Sequence, residues 1–166
     1  MLRTILRGIT TAYTPAEAAV LLVDYRSALK GVLKTDHLLR YTATAADLPD
    51  MVEETVESLS HRISETFTRP DLFVVVDDYD LVARPGASPL APLAELLPHA
   101  KEIGLHLVLA RHTASSPDPA LDAPAVVLTG SGATHDGAEV DQPPGRGTLV
   151  APGRDPQRVQ VAWIPG

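Results

Sequence analysis

The stretch LFVVVDDYD, residues 72–80, decides the fold of this chain, because five apolar residues run directly into a cluster of aspartates. A short run of β-branched and aromatic residues is typical of a strand that is buried on both faces, as in a parallel sheet. Carboxylates that follow such a strand lie at the carboxyl edge of the sheet, where open α/β sheets bind their ligands. The stretch therefore predicts an α/β protein with a polar site at the end of this strand.

The segments around this strand alternate between strand and helix patterns. Buried strands are predicted over residues 19–24 and 105–110, and a short one over residues 125–129. Helices are predicted over residues 2–12, from a cap at Asp50, and from Ser88-Pro89 to a stop near Gly104. The helix after Asp50 has an apolar stripe formed by Val52, Val56, Leu59, Ile63 and Phe67. This alternation favours a largely parallel sheet flanked by helices.

The last third of the chain has a different pattern. Residues 130–145 are rich in glycine, proline and acids, which predicts a loop. Residues 148–151 and 159–164 read as two strands around a proline- and glycine-rich turn, so a C-terminal β-hairpin is expected.

Composition bounds the classes of function. The chain has 166 residues, of which 45% are apolar and 21% charged, and this predicts a single globular domain. It has no cysteine, which excludes disulfides and thiolate metal sites and fits a cytoplasmic location. The net charge is −7, with the acids concentrated between positions 47 and 80. Nucleic-acid binding is therefore disfavoured, since it normally needs a basic surface.

The paired aspartates allow a specific chemical interpretation. In P-loop NTPases a buried strand that ends in two acids is the Walker B element, in which the first acid helps to hold Mg²⁺ and the next positions or deprotonates the attacking water. Asp77 is thus the candidate metal ligand and Asp78 the candidate catalytic residue. The alternative is that both acids are vestigial or cap the following turn. A glycine-rich phosphate loop ending in Lys-Ser/Thr does not occur in these 166 residues, because Lys34-Thr35 is preceded by Leu33 where glycine is required.

The order of six segments resembles the C-terminal, degenerate ATPase modules of the FtsK/SpoIIIE-type EccC motor of type VII (ESX) secretion. The combination of VDDYDL with PPGRG and a VAW ending is the most specific part of this resemblance. The segments are LRTILRGITTAYTP (2–15), VLLVDYR (20–26), LFVVVDDYDL (72–81), GLHLVLARH (104–112), PPGRGTLV (143–150) and VQVAWIP (159–165).

The resemblance implies a RecA/FtsK-like P-loop-type fold over residues 1–166, as one N-terminally incomplete module. In that family a strand and the Walker A loop precede the helix that matches residues 2–11, so both are expected to be lacking, which would leave a gap or exposed edges in the sheet.

Arg111 lies where FtsK-like motors place a polar residue that contacts the γ-phosphate. It is therefore the candidate cofactor-binding residue, or alternatively a counter-ion of the acidic cluster. Asp24 and Arg26 are expected either to pair beside the ligand crevice or to form a surface ion pair. Arg146 is either an arginine finger toward a neighbouring module or an exposed turn residue.

The function implied by the resemblance is that of a largely non-hydrolysing module of a type VII secretion motor. Its expected partners are the signal of a secreted Esx-type substrate and neighbouring ATPase modules, with the membrane reached through the parent protein at its cytoplasmic face. Mg-ATP is the cofactor implied for the parent, and tight binding to this chain alone is not expected. One alternative is an ATPase or DNA-translocase half-site completed by a phosphate loop supplied elsewhere, and another is a structural scaffold without a ligand.

Overall fold

The computed structural model describes the residues in the ranges 1–64, 69–83, 87–111, 125–128, 133–135, 138–140, 145–150 and 153–161. The chain divides into two compact units, Leu2–Ser115 and Ser116–Gly166. The assignment of all 166 residues to a single module stays a prediction.

The described residues of the first unit form a four-stranded sheet and five short to medium helices. Its strands are β1 (Ala18–Val23), β2 (Leu38–Thr42), β3 (Asp71–Val76) and β4 (Leu105–Leu109). Its helices are α1 (Leu2–Ala12), α2 (Leu48–Ser64), α3 (Tyr79–Val82), α4 (Ala91–Ala94) and α5 (Ala100–Ile103), with a 3₁₀ turn at Leu97–His99.

The sheet is parallel throughout and has the strand order β2-β1-β3-β4. This confirms the predicted mostly parallel sheet flanked by helices. The four described strands are contiguous, so the gap expected from a missing strand is not found among them. Strand β2 has the sequence LLRYT, and the sequence analysis assigned no element there.

Burial across the sheet separates its centre from its edges. All six residues of β1 are buried, as expected for a strand covered on both faces. In β4 only Leu105 is buried, while His106 is exposed and the remaining residues are half-buried. The prediction of a fully buried strand at residues 105–110 is therefore wrong, because β4 pairs with β3 alone among the described strands.

Helix α1 is held by an apolar stripe at helical spacing. Leu2, Leu6 and Ile9 are buried in a cluster with Val20 and Val75 from the two central strands. Full burial of side chains of this size contributes roughly 1.5–3 kcal/mol each. The predicted helix over residues 2–12 is confirmed.

Helix α2 begins earlier than predicted and buries a different stripe. It starts at Leu48 with Pro49 in its first turn, a position that proline tolerates because its missing N–H has no partner there. Asp50 lies inside the first turn, so the prediction that it caps the helix is wrong. Ile63 is exposed, and Phe67 lies outside the described residues. The buried residues of α2 are Leu48, Met51, Val52, Thr55 and Leu59.

The helix predicted from Ser88 to Gly104 is divided into three short pieces. Pro98 lacks an N–H, and its ring would clash with the carbonyl of Ala94, which is the last residue of α4. The chain therefore continues as a 3₁₀ turn before α5. The end of α5 agrees with prediction, since Gly104 adopts the left-handed conformation with φ 67°.

The second unit contains antiparallel strands. Strands β8 (Arg146–Val150) and β9 (Gln157–Gln160) form the predicted hairpin, and β5 (Ala125–Leu128) pairs with β8. Strands β6 (Ala133–His135) and β7 (Ala138–Val140) pair with each other. The prediction that residues 130–145 form only a loop is therefore wrong.

Candidate functional site at the carboxyl edge of the sheet

Asp77 and Asp78 lie at the carboxyl edge of the parallel sheet, directly after β3. The Asp77 N–H donates to the Val23 carbonyl at 2.9 Å, which extends the pairing with β1 by one residue. The Tyr79 N–H donates to the Ala110 carbonyl at 2.7 Å, which ties the next residue but one to the end of β4. The backbone of the two aspartates is therefore fixed from both neighbouring strands.

Asp78 adopts a backbone conformation that L-residues rarely take. Its φ and ψ are 46° and 55°, in the left-handed region, where it precedes α3. It occupies the N-cap position without a side-chain capping hydrogen bond. The alternative that its carboxylate caps the following turn is therefore not supported. Asp80 lies within the first turn of α3.

The carboxylate of Asp78 forms an ion pair with Arg26. The Arg26 Nε lies 3.0 Å from the Asp78 Oδ2, and the two side chains are 64% and 30% exposed. The sequence predicts an ion pair between Arg26 and Asp24, but the arginine side chain pairs instead with the aspartate that follows the neighbouring strand β3. The register explains this, because Val23 on β1 pairs with Val76 on β3 and the residues that follow leave the sheet side by side.

Asp24 has a different environment from its neighbours. It is completely buried, and its carboxylate accepts hydrogen bonds from the N–H groups of Ala28 and Leu29 at 2.9 and 2.7 Å. The Tyr41 hydroxyl donates a third bond to Asp24 at 3.2 Å. These contacts fix the loop that carries Arg26. Asp24 therefore stabilises the backbone of the site and does not pair with the arginine.

Asp77 lies in surroundings that disfavour its charge. Partial burial raises the pKa of Asp77, and the negative charge of Asp78 raises it further. The Asp78 N–H, which donates to the Asp77 Oδ1 at 3.1 Å, acts in the opposite direction, as does the charge of Arg26 more weakly. A raised carboxyl pKa at the carboxyl edge of a sheet is a feature of functional sites.

Arg111 and Arg146 are placed at defined points of the two units. Arg111 is exposed and follows β4 by two residues, at the same carboxyl edge as the aspartates. Its role in binding a nucleotide stays a prediction. Arg146 is the first residue of β8, and its Nε donates to the Gln160 side chain at 3.1 Å. It is thus part of a hairpin strand, so the expectation of an exposed turn residue is wrong, and the arginine-finger alternative stays a prediction.

The described residues offer an incomplete site for Mg-ATP. They contain no group of three acidic or histidine side chains that could hold a metal ion by themselves. Asp78 is engaged by Arg26, and the Asp77 Oδ1 accepts the Asp78 N–H. The chain also contains no glycine-rich loop with a lysine to neutralise the phosphates. The roles of Asp77 as metal ligand and Asp78 as catalytic residue therefore stay predictions.

Two partners in this site were missed from the sequence. The sequence pairs Arg26 with Asp24, whereas the structure pairs it with Asp78, and the sequence gives no signal for Tyr41 because β2 is not predicted. Both errors have one source, namely that residue spacing does not reveal which strands are neighbours. Had the β2-β1-β3 order been known, the edge positions of Arg26, Asp78 and Tyr41 would have followed.

Comparisons with known proteins find relatives among the EccC proteins of ESX secretion systems. The ESX-4 secretion system protein EccC4 of Mycobacterium tuberculosis is 38% identical over 99% of this chain, which spans 15% of that relative. The solved cytoplasmic domain of the type VII secretion ATPase EccC of Thermomonospora curvata superposes with a TM-score of 0.85 at 30% identity. That match covers 99% of this chain and 22% of the solved one. The chain is a C-terminal ATPase module of the EccC family.

A second solved EccC structure shows which molecule a relative binds. T. curvata EccC, as ATPases 2 and 3 in complex with a signal sequence peptide, superposes with a TM-score of 0.79 at 29% identity. The match covers 99% of this chain and 34% of that one. No protein-family model matches the chain. Among the described residues of this EccC module, no helix is long and apolar enough to cross a membrane.

Proposed function

We propose that this EccC module works in a type VII secretion motor through protein contacts, by binding the signal of a secreted Esx-type substrate or a neighbouring ATPase module. The observation that carries the proposal is its superposition on part of T. curvata EccC, whose ATPases 2 and 3 were solved in complex with a signal sequence peptide. That likeness covers nearly the whole chain, so it includes the full set of described elements. In this proposal the module lies at the cytoplasmic face of the membrane, which the parent protein reaches.

In this proposed function the module does not hydrolyse ATP by itself. Phosphoryl transfer depends on positioning and neutralising the phosphates, and the chain has no loop that does so. The candidate catalytic carboxylate is also held by Arg26 at 3.0 Å. Both observations support contact with proteins over turnover of a nucleotide.

The test is binding of a fluorescently labelled peptide from the C-terminus of an Esx-type substrate. We expect saturable binding, measured by fluorescence anisotropy, that an unlabelled peptide competes away. A peptide of the same length and charge, with its apolar residues replaced by alanine, should not compete, because an amphipathic helix binds a groove through its apolar side. Sedimentation with a purified neighbouring module tests the second partner. Absence of both interactions would contradict the proposal.

A second function is favoured by one observation, the position of Asp77 and Asp78 at the carboxyl edge of the sheet. This is where α/β sheets place ligand-binding acids, so the module would be a nucleotide-binding half-site completed by a phosphate loop from elsewhere. Mg-ATP at 100 times its Kd would stabilise the folded state by about 2.7 kcal/mol. An increase in melting temperature that corresponds to this stabilisation, with or without a neighbouring module, would favour the half-site. A chain inert in every one of these assays would instead indicate a structural scaffold.

A further inference from the structure

Two segments that pack together on one side of the sheet carry only positive charges. Helix α1 and the turn at residues 25–35 contain five lysines and arginines and no acid, in a chain whose net charge is −7. Leu29 of the turn is buried in the same cluster as Leu6 of α1. The Arg3 guanidinium also donates to the Ala28 carbonyl at 2.8 Å, so the turn lies directly beside the helix.

We call the exposed cations of these two segments the basic face. Arg26 is set aside, because it pairs with Asp78. The two arginines of α1 are four positions apart, which places them on one side of the helix. The Lys34 side chain folds back along the turn, since a Cβ on Gly31 would lie 3.5 Å from its Cε. The basic face therefore consists of four exposed residues, Arg3, Arg7, Lys30 and Lys34.

The opposite charge is concentrated on α2 and just before it. Residues 41–61 contain five acids and no lysine or arginine. One of these acids, Glu54, pairs with Arg40. The other four are exposed and form the acidic face, which consists of Asp47, Asp50, Glu53 and Glu57. The chain thus carries one surface of each sign, with four charges on each.

The two faces lie on opposite sides of the same sheet. Val20 and Leu22 of β1 are buried in one cluster with the apolar stripe of α1. Leu21, between them, points to the other side, because side chains alternate along a strand. Its partner on β2 is Arg40, whose side chain reaches Glu54 of α2. Helix α2 therefore lies on the side of the sheet opposite to α1, and the charges of the two helices point away from each other.

We propose that the basic face binds the acidic face of a second copy of this chain. Four exposed cations of one copy then meet four exposed acids of the next, and such complementarity fixes the register of a contact and disfavours partners of like charge. Nucleic acid and anionic lipid present negative charge alone, and the net charge of −7 opposes their approach. Because the faces lie on opposite sides of the sheet, each copy has a neighbour on either side, in a head-to-tail arrangement. This association goes beyond the proposed function, since it needs neither a substrate signal nor a different module.

The experiment is sedimentation equilibrium of charge-reversal variants at an ionic strength of about 0.1 M, where charges more than about 10 Å apart are largely screened. The unchanged chain should show a weight-average mass above that of the monomer, which rises with concentration. K30E/K34E and E53K/E57K should each weaken self-association by about tenfold or more. The reason is that an exposed ion pair contributes a factor of up to about five, and each variant replaces two attractions by repulsions.

An equimolar mixture of the two variants should restore the association. The reversed face of one variant is then complementary to the reversed face of the other, and their unchanged faces are complementary as well. The matched control is R154E/R158E, which has the same net charge as K30E/K34E but changes two exposed arginines of the second unit. It should associate as the unchanged chain does, so the effect of net charge is separated from that of the basic face.

Several results would overturn the inference. They are an unchanged chain that stays monomeric at its highest soluble concentration, a reversed variant that associates as strongly as the unchanged chain, a mixture no more associated than its components, and an equal loss in R154E/R158E. Binding of a monomeric chain to vesicles that contain phosphatidylglycerol would instead assign the basic face to a membrane surface. Circular dichroism of the variants should match that of the unchanged chain, because all the altered positions are exposed.

Discussion

Asp24 and Asp78 follow neighbouring strands at the same edge of one sheet, yet they do opposite things. Asp24 is completely buried, and three donors satisfy its carboxylate. Asp78 is partly exposed, has a left-handed backbone conformation and forms an ion pair with the exposed side chain of Arg26. The difference shows that an acid at the end of a parallel strand can have either of two roles. It anchors the next loop when that loop presents N–H donors to it, and otherwise its carboxylate stays accessible at the edge of the sheet.

The largest expected effect is that of replacing the anchor. Asp24→Ala leaves two buried N–H groups and the Tyr41 hydroxyl without their acceptor, which should lower the free energy of unfolding by about 2–4 kcal/mol. Urea denaturation measures this loss. Asp36→Ala, the same change at an exposed position, should alter stability by less than about 0.5 kcal/mol. Equal losses in the two variants would remove the role of Asp24 as an anchor.

A smaller loss is expected when the anchor keeps its charge but loses one donor. Tyr41→Phe removes the hydroxyl that donates to Asp24 at 3.2 Å, which should cost about 1 kcal/mol. Tyr25→Phe is the matched control, because Tyr25 is half-buried and adjacent to the same aspartate in sequence. A loss in the Tyr25 variant as large as that in the Tyr41 variant would show that the hydrogen bond is not the cause.

Alanine and glycine variants should rank in opposite orders of stability at Asp78 and at a helical position. At Asp78, alanine should be less stable than glycine by about 1 kcal/mol, because glycine adopts φ 46° without steric cost. At Asp80, within α3, alanine should instead be more stable than glycine. Thermal unfolding of the four variants checks both signs. The same sign at both positions would mean that Asp78 is not held in the left-handed conformation.

The smallest effect concerns Asp77 and depends on pH. A raised carboxyl pKa means that the folded state disfavours the charged form, so at neutral pH the charge of Asp77 costs stability. This cost disappears as the pH falls through the raised folded value toward the ordinary one. Asp77→Asn should therefore stabilise the protein at pH 7, by less than about 1 kcal/mol since the group is partly exposed.

The stabilisation by Asp77→Asn should depend on pH. The advantage of Asp77→Asn should shrink as the pH is lowered from about 7 to about 3, where the native carboxyl is protonated. Melting temperatures across this range measure the difference. An advantage of Asp77→Asn that grows toward low pH would mean that the pKa is shifted downward, contrary to expectation.

Much of the fold was predictable from sequence because its strongest patterns are local. The apolar run before Asp77 predicted β3, and the stripe of Leu2, Leu6 and Ile9 predicted α1, since each pattern fits one period of secondary structure. Strand β2 is not predicted because its sequence, LLRYT, mixes apolar and polar residues, and it lies at one end of the described strand order. The helix predicted from Ser88 to Gly104 is longer than the observed pieces, because Pro98 cannot continue the helical hydrogen bonding of the preceding turn.

For the candidate site, the sequence by itself determined that aspartates follow β1 and β3, since a strand pattern followed by acids is visible in any order of strands. It also determined the resemblance to the EccC family, which the comparisons confirm. Which aspartate is buried, which is strained and which one Arg26 holds was decided by the tertiary structure. The physical reason is that parallel strands far apart in sequence become neighbours through pairing, and the charge and hydrogen bonding of a side chain depend on that neighbour.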